Sequence, residues 1–192
     1  MPKRDPDHMN AQRERIILAA IACIARKGVE GSSMADIWKE AGLSAGALYV
    51  HFKNKDDLIG QCLRFQLAPE QEPPTSWGAL KARMLDFNPK LGLDATTVTR
   101  ARINLRAGCM GPGQLHETMK RLLDEQIADL ARWIDEIARS GAIDLQMSAH
   151  QTAKAICAHV DGMLWFALAR DQTLDDALPE ISAGLDRFVT LD

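Results

Sequence analysis

The sequence predicts an all-α protein, and three observations support that fold class. The 192 residues include 27 Ala and 22 Leu but only 5 Val and 1 Tyr, so strong helix formers far outnumber typical strand formers. Apolar residues recur at helical spacing along most of the chain, and hydroxyl residues that can cap helices precede several of these segments. With 46% hydrophobic residues, the chain can bury a core as one globular unit or two small ones, which excludes a disordered chain.

The first helix is expected from about Ala11 to Lys27. Ile17, Ile21 and Ile24 repeat on one face of it, and Gly28 follows as a cap at its carboxyl end.

Two short helices follow, joined by a tight turn. Ser33 and the carboxylate three residues later have the spacing of a capping box and begin a second helix that stops at Gly42. Ser44 can cap a third helix over residues 45–52. Two short helices joined by a glycine-containing turn are typical of a helix-turn-helix, here over residues 33–52.

A head and a body are expected beyond this motif. The stretch from Pro69 to Pro74 cannot continue a helix and marks the boundary, which gives domains over residues 11–71 and 72–192. The other helices, about nine in all with the first three, are expected over residues 55–67, 76–87, 95–109, 114–140, 149–170 and 174–190.

Several classes of protein are excluded by composition. No apolar window approaches the roughly 18 residues that a membrane span needs, and the charged N-terminus lacks the apolar region of a secretory signal. We therefore expect a soluble, cytoplasmic protein. The four cysteines lack metal-ligand or redox spacing and are expected to be buried reduced thiols, with no metal site and no cofactor.

Charge is distributed unevenly along the chain. Residues 1–55 hold nine Lys and Arg against six Asp and Glu, whereas residues 56–192 hold fourteen against twenty. The net charges of +3 and −6 sum to the −3 of the whole chain. A basic front on an acidic body indicates that only the front meets a polyanion.

The segment from Ser33 to Lys55, SMADIWKEAGLSAGALYVHFKNK, carries the sharpest motif. Its capping hydroxyl, Ala-Gly turn, Leu-Ser, Gly, Leu-Tyr, His-Phe and final lysine resemble the helix-turn-helix of TetR-family transcriptional regulators. The resemblance covers roughly the first 60 residues. It implies a three-helix DNA-binding head followed by a helical bundle that binds a ligand and dimerises.

A helical wheel of the third helix supports this interpretation independently. Leu48 and Phe52 face the core, whereas Gly46 and Val50 face away, with Ala47 and Tyr49 beside them. A small, smooth outer face lets a helix approach the floor of a DNA major groove closely.

Candidate DNA-binding residues follow from the face and the resemblance. Ser33, Ser44, Tyr49 and Lys55 are expected to contact phosphates, although simple capping would also explain the two serines. His51 can either pack or contact DNA. The candidates on the helix itself are Ala45, Gly46, Ala47 and Val50, which offer few hydrogen-bonding groups, so we expect thymine-methyl contacts and DNA shape to carry sequence recognition.

Two further features of the front leave alternatives open. Trp38 stands where the family usually has a small residue, and it either fills a gap between head helices or lies near the DNA backbone. The arm before the first helix contains Lys3, Arg4, Arg13 and Arg15. It is either a solvated tail, or its Lys3 and Arg4 reach the minor groove or adjacent phosphates.

The last two helices are expected to form a homodimer interface. Leu178, Ile181, Leu185 and Phe188 form a narrow apolar seam, and the preceding helix is apolar nearly all round. Two helices from each subunit would form a four-helix interface, as the resemblance implies. A two-fold dimer implies a roughly palindromic operator.

An apolar pocket for a small-molecule effector is expected in the body. Each apolar candidate can also be a core residue, and Arg106, with Arg102 one turn away, can hold an anion or face solvent. Asp161 interrupts the most apolar helix and can pair across the dimer, cap a bend or bind a cationic effector. The candidates are Trp77, Met84, Phe87, Arg106, Met110, Met119, Trp133, Asp161, Trp165 and Phe166.

These features predict a DNA-binding transcriptional regulator, a repressor that a small-molecule effector releases from its operator. An enzyme is disfavoured because the sequence shows no nucleophile–base arrangement, metal motif or phosphate-cradling glycine loop. The alternative is a helical protein-interaction or small-molecule-binding protein that does not bind DNA.

Overall fold

The computed structural model describes residues 6–67, 72–86 and 92–191 of the chain. Within these residues the fold is almost entirely helical, as predicted. The elements are α1 Pro6–Gly31, α2 Met34–Glu40, α3 Ala45–His51, α4 Lys55–Leu67, α5 Trp77–Leu85, α6 Ala95–Gly108, α7 Gln114–Arg139, β1 Ile143–Leu145, α8 Ala149–Ala169, α9 Leu174–Leu185 and β2 Val189–Leu191. No helix in the described ranges is long and apolar enough to cross a bilayer.

The described residues form two compact units. Unit 1 contains α1–α4, α6 and the first turns of α7 up to Lys120, and unit 2 contains α5, the rest of α7 and everything after it. Helix α6 therefore groups with the N-terminal helices, although it lies beyond residue 71. Residues 69–71 of the expected boundary, which runs from Pro69 to Pro74, fall outside the described residues, and the boundary stays a prediction.

Unit 1 is built around α1. Its middle turns from Ile16 to Ala25 are buried except for the half-buried Leu18, and α6 makes the most extensive packing contact with it of any described element. The helix is broken at Gly28, where φ is 71° and ψ is 175°. This left-handed φ favours glycine, so the expected cap at Gly28 is confirmed. A further turn follows the break and leads to the N-cap of α2.

Helix α6 supplies hydrogen-bond donors at this break. The last four carbonyl oxygens before a helix end have no intrahelical donor. Nδ2 of Asn104 on α6 donates to the carbonyl oxygens of Ile24 and Ala25 at 2.9 and 3.3 Å. Beyond the break, Gly108 lies so close to Val29 that a Cβ on Gly108 would come within 2.6 Å of the valine side chain. Asn104 and Gly108 therefore fix α6 against the break in α1.

Replacing Asn104 by leucine should destabilise the protein by about 1–2 kcal/mol, because two carbonyl oxygens lose a donor while the side-chain volume is kept. Chemical denaturation followed by circular dichroism measures this loss. The control is N54L. Asn54 Oδ1 accepts from the N–H of Asp57 at the start of α4, so this variant measures the cost of losing an asparagine hydrogen bond that does not involve α6. Unchanged stability of N104L would show that the two bonds contribute nothing.

Unit 2 is closed at its carboxyl end by two long-range links. Trp77 Nε1 and Lys81 Nζ on α5 both donate to the carboxylate of Asp186, at 2.7 and 2.6 Å, just after α9. The lysine ammonium and the indole N–H lower the pKa of Asp186. Strand β2 pairs antiparallel with β1, with Ile143 opposite Leu191. Helix α8 packs against α9.

Two sequence expectations about helix ends were wrong. The first helix starts at Pro6 rather than near Ala11, so Arg13 and Arg15 are helical and not part of an arm. The last helix ends at Leu185 rather than near residue 190; a short 3-10 turn holds Phe188, and β2 follows. The apolar seam on α9 therefore loses Phe188, although Ile181 and Leu185 are buried as expected.

Candidate nucleic-acid interface

The turn between α2 and α3 is a tight helix cap. Gly42 has a φ of +61°, and its N–H donates to the carbonyl oxygen of Lys39 at 3.0 Å. The N–H of Leu43 donates to the carbonyl oxygen of Trp38 at 3.0 Å. This pair of bonds defines a Schellman motif, which requires a left-handed residue at Gly42. The two helices are therefore linked with little freedom, as a helix-turn-helix requires.

Serines cap both helices of this motif. Ser33 Oγ accepts from the N–H of Asp36 at 3.1 Å, and Asp36 accepts in return from the N–H of Ser33, which confirms the capping box. Ser44 Oγ accepts from the N–H of Ala47 at 3.2 Å. Both serines are exposed. Their hydroxyls already have a structural role, and phosphate contact is a second role that stays a prediction.

Two ion pairs join α1 to α2. Arg26 lies 2.7 Å from a carboxylate oxygen of Glu40, and Lys27 lies 2.7 Å from one of Asp36. Hydrogen bonds from Lys27 and Ser33 hold the pKa of Asp36 well below its ordinary value. Because exposed ion pairs are screened by solvent, their main effect here is to orient α2 on α1 rather than to stabilise the unit strongly.

The Asp36 contacts predict a pH dependence of stability. A carboxyl whose pKa is lowered by folding stabilises the protein above its unfolded pKa of about 3.9, and this contribution is lost as the pH falls further. We therefore expect D36N to be less stable than the wild type at pH 7, with the difference shrinking below about pH 4. Urea unfolding of both proteins at pH 7, 5 and 3.5 measures this difference in the free energy of unfolding. D56N, which removes an exposed carboxylate from α4, is the control. A difference that is the same at all three pH values would contradict the prediction.

The two faces of α3 are as the wheel predicts. Leu48 and Phe52 are buried at 0% and 1% exposure. On the opposite side Val50 is 51% exposed, and a Cβ built on Gly46 would meet nothing within 4 Å. Ala45 is exposed and Ala47 half-buried. Helix α3 therefore presents a surface of small apolar groups to solvent.

The remaining predicted DNA-binding side chains flank this surface. Tyr49 is 54% exposed. Lys55 begins α4, and its Nζ lies 3.4 Å from the carbonyl oxygen of Glu30. His51 is half-buried, and its Nε2 lies 3.3 Å from Oε1 of Gln12. The packing alternative for His51 therefore has a visible partner in α1.

Trp38 is half-buried on α2, and the ammonium of Lys39 lies 5.5 Å from its ring centroid. Lys3 and Arg4 lie outside the described residues.

The predicted pocket residues are distributed over both units. Trp77 is buried in unit 2, and the guanidinium of Arg83 lies 4.6 Å from the ring centroid of Trp133. Trp165 and Phe166 lie on the surface of the single chain, and Phe87 is outside the described residues. Unit 2 also holds Met84 and Asp161, both half-buried, whereas unit 1 holds Arg106, Met110 and Met119, which are respectively half-buried, exposed and buried.

One side of the interface was missed by sequence reasoning. Gln12 contacts His51, the guanidinium of Arg13 lies 5.4 Å from the Phe52 ring centroid, and Arg15 reaches Gly42. The proline at position 6 and the aspartate after it indicate the early start of α1, since proline and acidic residues favour the first turn of a helix. They do not indicate that residues 12–15, which already lie within the expected helix, pack beside the motif, because these contacts are distant in sequence.

A capped helix-turn-helix with a smooth, exposed second helix on a basic head defines a DNA-binding protein of the transcriptional-regulator class. Residues 16–62 match the family model described as bacterial regulatory proteins, tetR family. Over 204 aligned residues the chain is 28% identical to the HTH-type transcriptional regulator TtgR of Pseudomonas putida, with 97% of this chain and 95% of TtgR covered. Residues 16–62 therefore carry the DNA-binding segment of tetR-family regulators, and the chain as a whole is similar to a transcriptional regulator of this kind.

Solved structures agree with this fold. A TetR-family transcriptional regulator from Agrobacterium tumefaciens matches with a TM-score of 0.67 at 20% identity. The match covers 95% of this chain and 100% of the Agrobacterium chain. The regulator FadR from Bacillus subtilis, determined in complex with stearoyl-CoA, matches with a TM-score of 0.69 at 21% identity. That match covers 89% of this chain and 96% of FadR.

Proposed function

We propose that the protein is a homodimeric repressor that occupies a roughly palindromic operator and is released from it when a small molecule binds unit 2. We infer that it acts in the cytoplasm, as a regulator and not as an enzyme. Effector binding favours a dimer whose two heads are wrongly spaced for successive major grooves.

The observation that carries this proposal is the surface of α3. Gly46 and Val50 project outward from a helix whose other face is fully buried, so the helix can enter a major groove without side chains holding it away. The methyl groups of Ala45, Ala47 and Val50 then contact thymine methyls. Tyr49, Ser33, Ser44 and Lys55, placed around this surface, donate to phosphates.

Helix α8 supports dimerisation. Its buried face, with Ile156, Val160 and Leu164, packs within its own chain. Trp165 and Phe166 lie outside that face, 52% and 58% exposed, with their rings edge-to-face and centroids 5.3 Å apart. An exposed aromatic pair on an otherwise apolar helix suits a protein interface, and a second copy of α8 and α9 covers it.

Unit 2 is the proposed effector site. It brings large apolar side chains such as Trp77, Met84 and Trp133 into one compact unit, which suits a largely apolar ligand. A compound that releases the DNA should also change the tryptophan fluorescence of the protein. W133F should lose part of that change, whereas W38F, in unit 1, should retain it.

Binding to the DNA upstream of its own gene tests the proposal. We expect nanomolar affinity that falls steeply between about 50 and 200 mM salt, because phosphate contacts release counterions. Footprinting should show two protected half-sites about one helical turn apart or more. Failure to shift any genomic fragment would favour the alternative, a helical binding protein that does not act on DNA.

Replacing operator thymines by uracils should weaken binding by about 4-fold for each contacted methyl, since each buried methyl contributes about 0.8 kcal/mol. Competition binding with singly substituted operators measures the effect position by position. Uracil outside the footprint is the control. Equal binding of fully substituted and natural operators would show that methyl contacts do not carry recognition.

A further inference from the structure

One stretch of α1 lies alongside the helix-turn-helix. Gln12 contacts His51 at the end of α3, and Arg13 lies over Phe52 just after it. Arg15 lies at the turn before α3, where a Cβ built on Gly42 would come within 2.8 Å of its Nη2. The first helix therefore contributes a flank to the surface around α3.

Among the residues that the structure describes, Arg15 has no partner, unlike the other cationic side chains of α1. On α1, Arg26 and Lys27 form ion pairs with α2, and Arg13 lies over an aromatic ring. Arg15 is exposed, and within the described ranges its guanidinium makes no hydrogen bond, ion pair or ring contact. Its full hydrogen-bonding capacity is available to a ligand from outside the chain.

The outward face of α3 supplies no guanidinium or ammonium, and the one exposed donor on the helix beside that face is the hydroxyl of Tyr49. The outward residues Ala45, Gly46 and Val50 have no polar side-chain atom. A duplex that meets this surface brings a row of phosphates to the flanks of the helix. A guanidinium, with its planar set of donors, matches phosphate oxygens well.

We propose that Arg15 is a DNA-phosphate ligand that α1 contributes beside the α2–α3 turn. The inference rests on the proposed function and adds α1 to the DNA-contacting surface. Because Arg15 lies beside the turn and not on the outward face of α3, it binds the DNA backbone and not base edges. Its contribution is therefore the same for every sequence.

The test compares R15Q with R64Q, which removes the same charge from an exposed arginine on α4. Fluorescence anisotropy with the operator and with unrelated duplex of equal length is recorded from about 50 to 200 mM salt. R15Q should bind both duplexes about 5- to 10-fold more weakly, and the slope of log affinity against log salt should fall by about 0.9. R64Q should keep the wild-type slope, and R15K should recover most of the loss.

Two results would overturn the inference while leaving the proposed function intact. In the first, R15Q and R64Q behave alike, which assigns the effect to net charge. In the second, R15Q binds more weakly with an unchanged salt slope and a lower melting temperature, which assigns Arg15 a structural role at the turn. If the wild type binds no duplex at all, both the proposed function and the inference fail.

Discussion

The double variant W165E/F166E is expected to be a monomer that no longer binds its operator. Two carboxylates replace an exposed edge-to-face aromatic pair. Truncated aromatic hot spots cost about 2 kcal/mol or more each, and desolvating two like-charged pairs at a two-fold interface costs more. The dimer dissociation constant should therefore rise at least about 100-fold. Sedimentation velocity measures this dissociation constant. Operator affinity should fall as well, because only a dimer places two heads at the spacing of the two half-sites.

Met147 provides the matched control for this variant. It is an exposed apolar residue of the same unit, 40% exposed, and lies just before the N-cap of α8. M147E should remain dimeric and bind the operator normally. A W165E/F166E protein that sediments as a dimer at micromolar concentration would place the interface elsewhere on the chain.

The second large effect is expected for G46E, which should lower operator affinity more than about 100-fold while the protein stays folded. A carboxylate in the first turn of a helix interacts favourably with the helix dipole, so α3 itself should not be weakened. In the complex the same carboxylate lies among phosphates and base edges in a partly dehydrated groove, where like-charge repulsion is strong. Binding isotherms and thermal unfolding of the same sample separate the two effects.

Gly78 is a close internal control. Like Gly46 it is the second residue of a helix capped by a serine, Ser76 on α5 and Ser44 on α3, and a Cβ has free space at both positions. G78E should bind DNA as the wild type does. G46A should raise stability by about 0.5–1 kcal/mol through helix propensity and still weaken DNA binding. If G46E bound the operator normally, the proposal that α3 enters the DNA major groove would be wrong.

Local signals in the sequence were enough to predict most helices. Serine caps, glycine stops and apolar periodicity act over a few residues, so the helix-turn-helix and the buried faces of Leu48 and Phe52 were predictable. The strand pair was not, because Ile143 and Leu191 are distant in sequence and each strand has only three residues. Periodicity alone therefore extended the last helix through residues that pair with β1.

The grouping of α6 with the head was also beyond local reasoning. It depends on the packing of α6 against α1, including the Asn104 hydrogen bonds to Ile24 and Ala25, which join positions about 80 residues apart. The DNA-binding candidates were predicted from one helix wheel and a family resemblance. The side chains of α1 beside them were missed because their contacts with α3 and the turn before it join residues far apart in sequence.

The broken first helix bears on how this regulator can be re-engineered. The segment that carries the family signature, residues 16–62, leaves out Asn104 and Gly108, which hold the helix at its break. Cutting the chain after α4 would leave carbonyl oxygens without donors and expose the apolar face that α6 covers. A chimaera that takes its DNA specificity from another regulator should therefore carry α6 of that regulator together with its helices α1–α4. These two parts of one structural unit are encoded by separate stretches of the gene, with α5 between them.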